Sequence, residues 1–360
     1  MPSACTRFAQ AARWLALLLL LAMPAALFAH DPTTGVGFHA ITIPDPVNGG
    51  SMPGYVFYPS AQAKGTTVIG PYHLDAMCDA PPLPGAKPLV VISHGHGGSD
   101  LGHRELATYL ASHGFVVATL EHPKDNFHDT SGAGHAPVLV GRPIQVKATI
   151  SALLADAQWR KLIDADRIGV AGFSAGGYTS LLLVGAVPRF ARFIDYCNRY
   201  PKDVGTCLDS GKIEAEARSE GKTLEQWIAG IQDSLDRWGS TADPRVKAAF
   251  VMAPLSLVFD QSGVASIDRP VFLYYGENDH VLIPSENAAR IRPWIKTLAG
   301  VKVVPGADHW VFLDPCSPNM AKEEHEICSD PPGVDRVKVH AQLYADVLAF
   351  FRKTLHSPSP

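Results

Sequence analysis

Largely apolar runs of four to six residues recur along the chain, at 88–93, 115–120, 168–171, 247–252 and 270–275. Runs of this length predict strands covered on both faces, because a strand with one wet face would alternate instead. Between the first two lies an amphipathic stretch at 104–112, and residues 142–162 carry helical spacing through Ile144, Ala148, Ile150, Leu153, Leu154 and Trp159. Strand, glycine-rich turn, helix and strand in that order make a parallel βαβ unit. Two alternating stretches, 37–43 and 55–59, flank Asp45-Pro46-Val47-Asn48-Gly49-Gly50 and predict an antiparallel pair at a sheet edge. Residues 72–88, rich in Pro and Gly, read as a loop, 301–304 as a short strand and 337–355 as a closing amphipathic helix. The expected class is α/β, with a mostly parallel central sheet and helices on both faces.

The pattern changes over 189–243, where a segment bounded by Cys197 and Cys207 precedes two polar helical stretches at 211–220 and 223–238. Connections between strands and helices are usually a few residues long, so this insert is expected to be a helical cap over a site. Phe190, Trp227 and Trp238 are its candidate apolar lining.

The run at 168–171 leads into Gly172-Phe173-Ser174-Ala175-Gly176, and an apolar helix is expected over 178–184. A serine flanked by glycines two residues away on each side, between strand and helix, is a nucleophile elbow, where a strained turn lifts the hydroxyl above the sheet. The helix after it aims its first N–H groups at the same point, so the Ala175 N–H is a candidate oxyanion donor. The run at 88–93 ends in His94-Gly95-His96-Gly97-Gly98, and the His96 N–H is the candidate second donor. Asp279, in Gly276-Glu277-Asn278-Asp279-His280 after the 270–275 strand, is the candidate triad acid, with Glu277 and Asp260 as rivals. His309, in Pro305-Gly306-Ala307-Asp308-His309-Trp310, is the candidate base and completes the chain order Ser, Asp, His. Phe173, Trp310 and His122 are candidate substrate-binding residues, and Asp125, in the same loop as His122, is a further pocket candidate. A metal reading of His94, His96 and Asp100 is disfavoured, because Gly98 stands where a ligand would complete the motif and no later His and carboxylate set follows.

Residues 1–29 carry Arg7 and Arg13, an apolar run over 14–21 and small residues up to Ala29, the pattern of a secretory signal peptide. Its cleavage would leave one main domain, 30–360, periplasmic or secreted and without a membrane anchor. The charge would then move from −4 to −6, with 29 basic against 35 acidic residues, which argues against nucleic acid as a partner. In an oxidising compartment Cys197 with Cys207 and Cys316 with Cys328 are expected to form local disulfides, leaving Cys78 as the odd one out.

These motifs resemble the α/β-hydrolase superfamily across the whole mature chain. Within it, Ser93-His94-Gly95-His96-Gly97, Leu110-Ala111-Ser112-His113-Gly114-Phe115-Val116-Val117-Ala118 and Glu121-His122 resemble the platelet-activating-factor acetylhydrolase group and its dienelactone-hydrolase-like bacterial relatives. The resemblance implies a serine esterase without metal or cofactor, acting on a small-molecule or lipid ester and releasing short acyl groups. By motif position it gives Ser174 as nucleophile, His309 as base, and His96 and Ala175 as oxyanion donors. The chain departs from the acetylhydrolases at 251–255, which lacks their carboxylate, and from dienelactone hydrolases proper, whose nucleophile is cysteine where Ser174 stands here. Polyester- or lipid-cleaving hydrolases and peptidases of the same fold, and a non-catalytic binding module, are the alternatives.

Overall fold

A computed structural model describes residues 34–62, 64–203 and 206–355; the leader read in 1–29 lies outside them. Eight principal strands are β1 (Gly35–Pro44), β2 (Ser51–Ser60), β3 (Lys87–Ser93), β4 (Val116–Leu120), β5 (Ile163–Phe173), β6 (Val246–Met252), β7 (Val271–Gly276) and β8 (Leu298–Val304). They form one sheet in the order β8-β7-β6-β5-β3-β4-β2-β1, extended at the β1 edge by the two-residue strand Met77–Cys78. β1 and β2 are antiparallel and β2 joins β4 antiparallel, whereas β3 to β8 run parallel to one another. The expected fold class is the one observed. The expected loop at 72–88 is different: Thr67–Ile69 and Tyr72–Leu74 pair as a small hairpin, and Met77–Cys78 docks on β1. Strands of two or three residues are too short to leave a periodic signal.

The sheet is covered on both sides because successive side chains of each strand enter opposite cores. Leu89 and Val91 of β3 and Val170 of β5 pack with Ile150, Tyr178 and Leu181 on one side. Val90, Ile92 and Ala171 pack with Leu106, Leu110, Val347 and Phe351 on the other. The first layer holds helices α2 (Gly141–Ala155) and α3 (Ala175–Leu183), and the second holds α1 (Arg104–Ser112) and α7 (Arg336–Thr354). Between α3 and β6 lie α4 (Ala191–Arg199), α5 (Leu208–Ser219) and α6 (Leu224–Trp238). α6 starts at a capping box, in which the Thr223 hydroxyl accepts from Gln226 N while the Gln226 side chain accepts from Thr223 N. The sequence pattern marked α5 and α6 but not α4, whose apolar face of Phe193, Ile194, Tyr196 and Cys197 is only nine residues long. Cys197 is joined to Cys207 and Cys316 to Cys328 as expected, but Cys78, expected to be the odd one out, is disulfide-bonded too, so the described residues hold no free cysteine. No helix of the described residues is long and apolar enough to cross a membrane.

Candidate active site

The register of the parallel strands decides what meets at their carboxyl ends. Ser93, the last residue of β3, pairs with Gly172 of β5, and Phe173 pairs with Met252 of β6. The His94–Gly98 loop therefore lies directly beside the serine turn. Ser174 sits at φ +55°, ψ −116°, a conformation that L-residues avoid. Its backbone is tied on both sides: its N–H donates to Met252 O at 2.9 Å, and its carbonyl accepts from Leu255 N at 3.1 Å and Tyr178 N at 3.0 Å. Such ties are what let a strained residue persist. The flanking glycines are required by contact, since a Cβ on Gly172 would overlap the Gly176 carbonyl and one on Gly176 would overlap the carbonyl of Ser93. Ala175 is the first residue of α3, where an N–H has no partner within the helix.

Adjacent strands deliver the other two side chains. Asp279 follows β7 and His309 follows β8, on a single 3₁₀ turn. His309 Nδ1 lies 2.7 Å from Asp279 Oδ2, with both side chains only 1% exposed. The second carboxylate oxygen accepts from Val281 N at 3.0 Å and Leu282 N at 2.7 Å, so the acid is held at both ends. The rival carboxylates are engaged elsewhere. Asp260 caps a short helix through Gly263 N, and Glu277 accepts from Gly306 N at 2.9 Å. With Nδ1 donating to Asp279, the Nε2 side of His309 is the one able to take a proton from a hydroxyl.

Ser174, Ala175, His309, His96, Phe173 and Trp310 all line one cavity of about 820 Å³. The Phe173 ring lies against His309 at 4.7 Å between centroids, and Trp310 meets the same imidazole edge-on at 5.1 Å. Much of the remaining wall is apolar. Phe190, Phe193, Ile213 and Ile228 come from the 189–243 insert, and Leu255 and Val258 from the loop after β6. Trp227 and Trp238 are not in this wall. Trp227 packs edge-on against His135 at 5.1 Å and donates to Gly134 O, and Trp238 is partly exposed.

His122 also lies away from the cavity. It is fully buried, with Nε2 2.9 Å from Ser93 Oγ and Nδ1 2.7 Å from Gln145 Oε1. Burial, then the Arg142 charge and His94, holds it well below the usual imidazole range, so it is a neutral packing group and not a substrate contact. Its loop turns inward because the ring satisfies Ser93, and the loop's reach to the cavity is made by Asp125 three residues later. His94 is likewise committed. Its Nδ1 donates to Gly95 O at 2.6 Å and its Nε2 accepts from His122 N at 3.0 Å, and burial followed by Arg142 pushes it down to about 3. With both ring nitrogens taken, the two histidines of the H-x-H pattern cannot converge on an ion.

Comparison with known proteins agrees with this architecture. Residues 59–133 match the sequence model of the family described as platelet-activating factor acetylhydrolase, isoform II. No curated protein matches the chain by sequence. Among solved structures, the ferulic acid esterase from Streptomyces cinnamoneus is similar at TM-score 0.58 and 20% identity, over 93% of this chain and 94% of that one. A puromycin-hydrolyzing peptidase from Mycobacterium tuberculosis is similar at TM-score 0.51 and 15% identity, over 89% of this chain and 39% of that one. A dienelactone hydrolase-like promiscuous phosphotriesterase from metagenomic libraries is similar at TM-score 0.50 and 15% identity, over 89% of this chain and 99% of that one. By its sheet order the chain has the α/β-hydrolase fold that these structures share, and its segment 59–133 is similar to the platelet-activating factor acetylhydrolase, isoform II, family.

Proposed function

We propose that this protein hydrolyses carboxylic esters through a covalent acyl-enzyme on Ser174. The observation that carries the reading is the 2.7 Å contact of His309 with Asp279 beside a serine held at φ +55° in the same cavity. His309 takes the hydroxyl proton as Ser174 attacks the ester carbonyl, and the backbone N–H groups of His96 and Ala175 receive the oxyanion. The imidazolium then protonates the departing alcohol. Water, activated by the same base, attacks the acyl-enzyme and releases the acid.

The cavity bears on the substrate. At about 820 Å³ it lies within the size range of sites that enclose whole drug-sized ligands, and a short acyl group alone would leave most of it to water. An ester of a short acid with a large apolar alcohol, such as a lipid acetyl ester, suits both the acetylhydrolase-type segment and the apolar insert-derived wall. The disulfides and the leader support action outside the cytoplasm.

A fluorophosphonate probe should label Ser174 in the native protein and leave Ser174→Ala unlabelled. Nitrophenyl esters of increasing acid length, run beside acetate esters of increasing alcohol length, should give turnover that rises along the alcohol series. Labelling at another residue, or none, would refute the mechanism; a rise along the acid series alone would reverse the assignment of the cavity.

A further inference from the structure

The loop proposed to carry the second oxyanion donor has little to fix it from within beyond one turn, Gly98 N to Gly95 O at 3.2 Å. Three of the four residues 95–98 are glycine, and Gly97 sits at φ +62°. The loop is also tied from outside by a buried ion pair that the hydrolytic scheme leaves unused. Arg142, in the first turn of α2, is 1% exposed and Asp125 is fully buried. Arg142 Nη1 donates to Asp125 Oδ2 at 2.8 Å, and Nη2 donates to the carbonyl of His94. The other carboxylate oxygen accepts from His96 Nδ1 and, at 3.4 Å, from the backbone N–H of Gly97. One ion pair thus reaches the His94 carbonyl, the His96 ring and the Gly97 amide, three points within four consecutive residues. Burial alone would raise the Asp125 carboxyl, but Arg142 and then His96 more than offset it and keep it below the usual range, so the pair is charged.

A buried pair of this kind is weak as a source of stability, because desolvating both ions offsets most of their attraction. What it supplies is position. An oxyanion donor is effective only within a few tenths of an ångström of where the negative charge develops. We propose that Arg142 and Asp125 are positioning residues for the oxyanion loop, fixing the His96 peptide beside Ser174 and holding the His96 imidazole along the cavity wall. The proposal rests on the reading of Ser174 as nucleophile.

Two variants test it, Asp125→Asn and the double variant Arg142→Met/Asp125→Leu, the second removing both charges at once so that neither is left buried alone. In each, kcat and KM for nitrophenyl acetate are measured together with the affinity for an alkyl boronic acid, whose tetrahedral adduct on Ser174 presents the oxyanion. The expected result is a loss of kcat of about 10²-fold with KM within about threefold, and boronate affinity falling by the same factor as kcat. The double variant should keep the thermal midpoint of the native protein, and it decides the matter if Asp125→Asn does not fold. A folded variant with native kcat and boronate affinity, or a kcat loss with full boronate affinity, overturns the clamp while the wild type still turns over ester. A wild type that neither labels with fluorophosphonate nor cleaves any ester overturns the hydrolase reading, and the clamp with it.

Discussion

At the scale of single residues, the catalytic proposal turns on how a carboxylate holds an imidazole. Asp279 accepts from His309 and from two backbone amides, so Asp279→Asn keeps the shape of the site but can present its N–H₂ where an acceptor is needed. We expect kcat to fall by about 10⁴-fold with little change in thermal midpoint, as steady-state rates and a melting curve would show. A loss under tenfold would move the acid elsewhere. His103 gives a different kind of prediction. Burial, then His340 and Arg104, pushes its imidazole down to about 3, against about 6.5 in an unfolded chain. Between those values the unfolded state binds the extra proton, so the His103 contribution to stability is present above pH 6.5 and lost as pH falls toward 3. In His103→Leu the unfolding free energy should therefore be flatter with pH across this window, by up to about 1.4 kcal/mol per pH unit. Denaturant titrations at several pH values would check it, and parallel profiles for the two proteins would exclude it.

At the scale of elements, the turn from β5 into α3 is the least tolerant point. Gly176→Ala would drive a methyl into the backbone carbonyl of Ser93 on a neighbouring strand, and no side chain can move aside to admit it. A cost on the order of 4 kcal/mol or more is expected, seen as a collapse of soluble yield or a large fall in thermal midpoint. An alanine variant within 1 kcal/mol of the native protein would show that the strand and helix can separate. These tight contacts also explain what sequence could reveal. Parallel strands β3 to β7 declare themselves because both faces are dry, and the elbow because steric need leaves glycines at fixed offsets. The partners of His309 and Ser93 are less legible. Asp279 could be inferred from its place after a late strand, but the inward turn of His122 depends on a three-dimensional match with Ser93 and Gln145. Arg142 left no signal at all, since an arginine in the first turn of an apolar helix looks like a solvated charge until the carboxylate it meets is known.

At the scale of the whole molecule, the insert supplies part of the cavity wall, and it is stapled. The Cys197–Cys207 bond closes a loop with a sequence separation of 10 between α4 and α5, both of which contribute wall residues. Opening a loop of that size should lower stability by about 3 kcal/mol at most, shared between the insert and the rest of the fold. With reductant, KM for esters of bulky alcohols should rise several-fold, while nitrophenyl acetate turnover changes much less. Equal loss on both substrates would mean that the insert supports the catalytic residues and not the far end of the ligand.

The polarity of the sheet has a practical corollary. Every group proposed to react sits beyond the carboxyl ends of β3, β5, β7 and β8, so the opposite rim carries none of the chemistry. There Gly85 and Gly114 occupy open turns; at φ +92° and +97° neither glycine itself should be replaced, but exposed Ala86 beside the first can carry a side chain. A single linker placed there would tether the molecule to a bead or electrode with its mouth facing outward, without crossing the entrance.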